Sequence, residues 1–203
     1  MSKTLARATL ARAAIALNKR VGRGLPPLVL MTDDERLPDP IAAARKLPRG
    51  SMVIVRSRQS SHRARLAHAL RPIIRAQGLV LLIANDAALA DRVRADGLHL
   101  PEANARSASA WRARRRHWLI TVAAHSFSAC SNAARSGAHA AFLSPVFVTS
   151  SHPDAGALGA ARARAIASQA VLPVYALGGI NERTAPRLAG ALFAGFAAIG
   201  ALV

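Results

Sequence analysis

The side chains that could do chemistry in this chain stand just after short apolar runs. In order they are Thr32-Asp33, Arg56-Ser57-Arg58, Asn85-Asp86, His99, Glu102, Asn104, His125-Ser126, Ser144-Pro145 with Thr149-Ser150-Ser151-His152, and Gly178-Gly179. Arg56 and Arg58 carry planar forks that match phosphate oxygens. Asp86, Glu102 and the amide of Asn104 offer the hard oxygen donors a cation such as Mg²⁺ takes. His125 is of the type that moves protons near neutral pH. Gly178 and Gly179, and the backbone of Gly200 and Ala201 near the chain's end, can bring N–H groups up to an anion with no Cβ in the way. Asn85, Thr149 and His152 add polar contacts for a substrate. Each position also has a plainer use: Asp86 as a helix cap, His125 as a packed histidine, the glycine pair as a bend.

The elements that must position these residues repeat. Apolar runs at Leu28–Met31, Met52–Val55, Leu79–Ile83, Gly97–Leu100, Leu119–Ala123, Ala141–Leu143, Val174–Leu177 and Ala197–Ala201 read as eight strands. Ala/Leu/Arg patterns at about Ile41–Lys46, Arg63–Ala76, Ala87–Ala95, Ser107–Arg115, Ser126–Ser136, Ala160–Ala170 and Glu182–Ala189 read as the helices between them, and none follows the eighth strand. Eight βα units predict an α/β fold, a (β/α)₈ TIM barrel lacking its eighth helix. An open doubly wound sheet would show a glycine-rich turn where Thr32-Asp33-Asp34 stands. Residues 25–203 make the barrel domain, and the polar residues after the strands then ring its C-terminal rim. Residues 1–24, without an acidic side chain, read as an added basic helix or tail.

Composition limits the function classes. With 52% hydrophobic residues a core can form, and no apolar run reaches the roughly 20 residues of a membrane-spanning helix, so no membrane partner is expected. Cys130 is the single cysteine, which excludes an internal disulfide and points to a reducing, cytoplasmic setting. The net charge of +18 suggests an anionic partner. The arginines are scattered and only 4% of residues are aromatic, so small phosphorylated ligands are expected rather than nucleic acid.

Four segments, Leu82-Ile83-Ala84-Asn85-Asp86, Ala95-Asp96-Gly97-Leu98-His99-Leu100, Ser144-Pro145-Val146-Phe147-Val148-Thr149 and Ala176-Leu177-Gly178-Gly179-Ile180-Asn181, resemble in order the signatures of the thiamine phosphate synthase/TenI family. The resemblance implies a ligand among thiazole phosphate, thiamine phosphate and pyrophosphate, and a possible homodimer. It implies Mg²⁺ if the condensation of an aminopyrimidine pyrophosphate with thiazole phosphate is retained, and otherwise no cofactor. Departures bear on that reaction. Ile54 stands where the family has Gln, Arg58 where it has Lys, Asn104 where it has a metal carboxylate, and His152 where it has a Lys; Asp86 matches the other metal carboxylate. His125 matches the histidine of TenI-type proteins, which isomerise the thiazole phosphate without metal. The expectation is a TenI-like enzyme or binder, with the synthase and a catalytically silent regulatory barrel as alternatives. The charge reading is tested with mixed nucleic acid near physiological salt: binding should be weak, and a steep salt slope implying many phosphate contacts would overturn it.

Overall fold

The computed structural model describes residues 3–21, 24–149 and 156–202. Eight parallel strands, β1 Leu28–Met31, β2 Met52–Val55, β3 Val80–Ala84, β4 Gly97–Leu100, β5 Leu119–Ala124, β6 Ala140–Leu143, β7 Val174–Leu177 and β8 Gly195–Ala198, pair in chain order and close into a barrel. The closing pair sets Leu28 beside Phe196 and Leu30 beside Ala198. The expected strands match to within a residue except the eighth, which begins at Gly195 and ends before Gly200–Leu202 coils into a 3₁₀ turn. Gly195 can start it because the backbones nearly touch there: a Cβ on residue 195 would lie 2.0 Å from the Pro27 carbonyl oxygen.

Alternation along each strand sorts the core into two layers. Val29, Met31, Met52, Ile54, Leu82, Phe142, Tyr175 and Ala197 fill the barrel interior, while Leu28, Leu30, Val53, Val55, Leu81 and Ile83 pack outward under the helices. With both faces covered, the strands are apolar throughout. Inside, Phe142 stacks on Tyr175 at 4.6 Å, and the Tyr175 hydroxyl donates to the Pro26 carbonyl at 2.7 Å.

The outer layer contains α1 Lys3–Val21, α2 Pro40–Arg45, α3 Ser60–Gln77, α4 Ala87–Arg92, α5 Ala108–Arg114, α6 Phe127–Arg135 and α7 Gly159–Gln169. Between β4 and α5 the chain forms a 3₁₀ segment, Glu102–Ser107. The helix expected at Glu182–Ala189 is only a 3₁₀ turn, Ala185–Leu188, with Pro186 in its first turn. No helix of the described residues is long and apolar enough to cross a membrane.

The N-terminal segment is a helix, and α1 has a structural place. Leu10, Ala14 and Leu17 are buried in the outer layer with Leu28, Leu30 and Phe196. α1 contacts the 3₁₀ turn after β8, and near its C-terminal end Asn18 Nδ2 donates to the carbonyls of Leu25 (2.9 Å) and Ala194 (2.6 Å), just before β1 and β8. The helix thus runs down the β8–β1 seam and delivers the chain to the base of β1. α1 covers the β8–β1 seam from outside. Leu10→Ala should cost about 2–5 kcal/mol in urea unfolding, while Ile15→Ala, on the exposed side of α1, should stay within about 0.5 kcal/mol; equal, negligible effects would show that α1 does not seal the seam.

Candidate functional site

A cavity of about 690 Å³ opens at the C-terminal mouth of the barrel. Its walls come from the ends of β1, β2, β5, β6, β7 and β8. Of the residues singled out from sequence, Arg56, His125, Thr149, Gly178, Gly179, Gly200 and Ala201 line it. Arg58, Asn85, Asp86, Glu102 and Asn104 do not, and His152 lies outside the described residues. Ser144 and Pro145, also singled out from sequence, line it too, and so do Arg36 and Glu182, which were not. Arg36 was legible only as an arginine three residues after Asp33 in the first strand–helix loop, a spacing that suits a local ion pair as well as a site.

The arginine wall is organised by one carboxylate. Asp33 accepts from Arg36 Nε at 3.1 Å and Nη2 at 2.7 Å, and its Oδ2 also accepts from Arg56 Nη2. The Arg36 hydrogen bond outweighs burial and holds the Asp33 carboxyl far below the usual carboxylate range. Thr32 fixes the backbone of Arg56 through its hydroxyl, which donates to the Arg56 carbonyl and accepts from the Arg56 N–H, both at 2.8 Å. Arg58 turns outward. Its N–H donates to Asp34 at 3.1 Å, and its side chain, 91% exposed, lies 3.9 Å from Glu35.

β5 stands across the ring from β1, and His125 follows β5. Its Nδ1 is 2.7 Å from the Ser144 carbonyl oxygen, which can only accept, so Nδ1 carries a proton and the neutral ring has its lone pair on Nε2. The backbone N–H of His125 donates to Glu102 at 3.1 Å. Between the arginines and the histidine lies a bed of small residues after β7 and β8. Gly178 and Gly179 take φ of 93° and 65°, and the loop after β6 presses on them: a Cβ would meet Pro145 Cα at 2.8 Å or the Val148 carbonyl oxygen at 2.6 Å. The glycine pair is therefore required by packing before any ligand arrives, and replacing either residue perturbs the turn itself.

The oxygen donors considered for a metal sit outside the cavity, after β3 and β4, and each has a protein partner. Asp86 caps α4, accepting from Leu89 N–H at 2.9 Å, and pairs with Arg63 Nη2 at 3.0 Å. Burial pushes its pKa up, but the Leu89 N–H and the Arg63 guanidinium together bring it below the usual value. Asn104 Nδ2 donates to Asn85 Oδ1 at 2.9 Å. Glu102 is turned to the His125 N–H. Among the described residues no group of three or more His, Cys, Asp or Glu could hold a metal ion. Asp86 and the Asn104 amide, the donors the resemblance assigns to Mg²⁺, are thus engaged by Arg63, Leu89 and Asn85.

Inside the barrel under the rim, His99 is buried with its Nδ1 2.9 Å from Thr121 Oγ1 and its ring edge on Phe142. Desolvation, helped by the charge of Arg56, depresses its pKa to about 4. It is neutral and packed.

Comparison with known proteins follows this geometry. Residues 28–202 match the family model described as thiamine monophosphate synthase. The chain is 33% identical to a thiamine-phosphate synthase of Chloroflexus aurantiacus over 156 residues, covering 75% of this chain and 72% of that protein. With a relative from Aquifex aeolicus the identity is 35%, but that match spans only 58% of this chain and 62% of the relative. The solved thiamine phosphate pyrophosphorylase from Pyrococcus furiosus superposes with a TM-score of 0.70 over 90% of this chain and 87% of that one; at 21% identity this likeness concerns the fold.

The environment of His99 predicts a pH dependence. Its folded pKa lies below the ordinary 6.5, so its contribution is unchanged above pH 6.5 and stability falls from there to about pH 4 as the unfolded chain takes up the proton first. The loss should be about 3 kcal/mol. Urea unfolding at pH 7 and pH 4 should show a drop in the wild type that is smaller by this amount in His99→Gln; identical drops would contradict it.

Proposed function

The chain belongs to the thiamine monophosphate synthase family, and from that premise we propose that its cavity binds thiazole phosphate and that His125 moves a proton on the thiazole ring. The observation that carries this reading is the His125–Ser144 contact, which leaves Nε2 as a base on a ring lining the cavity. In the proposed step Nε2 removes a proton from one ring position and the imidazolium returns it to another, with no net change in protons or electrons. Ser144 holds the tautomer through both transfers. The phosphate rests on the backbone at Gly178-Gly179 and Gly200-Ala201, where the small residues let an anion approach closely. Thr149 belongs to the ligand wall in this reading. The protein is placed in the cytoplasm, where Cys130, buried and with its thiol pushed up to about 11 by burial and by Glu102, stays reduced.

Condensation with an aminopyrimidine pyrophosphate is the second reading, favoured by the names of the relatives and by Arg56. It requires Mg²⁺ in the family, and the engagement of Asp86 by Arg63 and of Asn104 by Asn85 counts against it here.

Thiazole phosphate should raise the melting temperature by mass action. His125→Asn should keep that shift and lose about 10²- to 10⁴-fold in the rate of thiazole proton transfer, followed by exchange into deuterated water. Magnesium-dependent release of pyrophosphate from the two half-substrates together would reject the isomerase reading in favour of the second.

A further inference from the structure

We propose that the end of α5 and the turn before β5, from Trp111 to Trp118, form a docking surface for an acidic protein segment, gripped through arginine–carboxylate pairs. The surface lies at the base of the barrel, where the chain enters β5, and the cavity opens at the opposite end. The proposal therefore does not depend on what the cavity binds.

This segment, Trp-Arg-Ala-Arg-Arg-Arg-His-Trp, holds both tryptophans of the chain and the four arginines Arg112, Arg114, Arg115 and Arg116. A charge run is ordinarily a solvated face, but here the indoles organise it. Trp118 is buried, and Trp111 packs beside it with ring centroids 6.1 Å apart. The Arg114 Cζ lies 5.8 Å from the Trp111 ring centroid, and the Arg115 Cζ lies 5.8 Å from that of Trp118. Guanidiniums held against aromatic rings anchored in the core have less freedom to lose when a partner arrives.

One carboxylate already shows how the surface binds acids. Arg115 donates through Nε and Nη2 to the two oxygens of Asp91 on α4, both at 2.8 Å, which is the two-pronged pairing that favours arginine over lysine. The other three arginines have no carboxylate. Arg112 donates to the Gly137 carbonyl at 2.9 Å, an uncharged acceptor, and Arg114 rests on its indole. Arg116 is exposed and has no ion pair among the described residues. Asp96, just before β4, is turned to the Leu81 N–H at 2.8 Å and toward Arg71 at 3.9 Å. Three positive charges thus stand uncompensated beside a fork that already holds an acid.

The surroundings select the class of partner. Nucleic acid would need open aromatic faces for its bases, yet Trp118 is buried and Trp111 carries Arg114. A membrane surface would need apolar side chains to insert, and the exposed large apolar residues Leu5, Ile15, Phe127, Val148 and Val171 belong to other segments. A second copy of this chain, at a net charge of +18, would be repelled. A carboxylate-rich segment needs only the free forks.

The test titrates octaglutamate into the full chain near physiological salt and follows tryptophan emission, which reports on this surface because both tryptophans stand in it. Wild type should show a saturable change. Arg114→Glu combined with Arg116→Glu should weaken binding by about 10- to 100-fold, the loss expected for charge-assisted contacts. Arg65→Glu combined with Arg162→Glu, at exposed arginines of α3 and α7, alters the net charge equally and should keep wild-type affinity, which separates docking from the general attraction of a basic chain. Melting curves check that each variant folds, and if the first pair does not, Arg114→Gln with Arg116→Gln takes its place. Equal losses in the two pairs, no saturable change in wild type, or tighter binding of oligouridylate or of phosphatidylserine vesicles would overturn the proposal.

Discussion

Closure of the sheet is the constraint on which the rest of this structure depends. Once β8 pairs with β1, no strand edge remains and every strand points its C-terminal end at one rim. That brings Arg36, Arg56, His125 and Gly200, far apart in the chain, around one cavity. Closure also obliges the outer seams to be covered, since a strand apolar on both faces cannot leave one of them in water. At the β8–β1 seam the cover comes from α1, which precedes β1 instead of following β8. Lost rotational freedom of the chain is offset mainly by this two-layer burial, and the site inherits its rigidity from it.

Charge is distributed by the same geometry. The chain carries 28 basic against 10 acidic side chains, yet several carboxylates on the rim are committed to a specific partner. Asp33 ties two arginines, Asp34 accepts from the β2 loop, Asp39 and Asp86 cap helices, and Glu102 accepts the His125 N–H. Helix N-termini face the rim in a barrel, so caps and active-rim acids compete for the same residues. Asp86 shows the outcome: the carboxylate that resemblance assigns to a metal is held by the first turn of α4 and by Arg63.

Two histidines illustrate how surroundings divide one side chain into two roles. His99, on β4, points into the barrel, is desolvated, and rests on Thr121 and Phe142. His125, just beyond β5, is exposed to the cavity and oriented by a carbonyl. The first fills space while remaining neutral. In the proposed reading the second presents the lone pair that proton transfer uses.

Sequence alone determined the repeating βα pattern, the eight strands and the set of polar residues at their ends, because period and polarity are local properties that survive in one dimension. It also determined that β1, β2, β4 and β7 span the residues observed. It did not determine which strand-end residues share a cavity. Arg58 follows Arg56 by two positions, yet a backbone bond to Asp34 turns it outward, and Arg36 from another loop becomes the second arginine at the wall. The eighth β-strand slipped in the sequence reading because its start is set by contact with Pro27, and the helix expected after β7 is reduced to the 3₁₀ turn Ala185–Leu188, with Pro186 in its first turn. The basic N-terminal segment looked like an appendage because α1 carries few large apolar residues. Its three buried positions gain meaning only against β8, which arrives at the opposite end of the chain. Such pairings depend on which surfaces closure brings together, and that is decided in three dimensions.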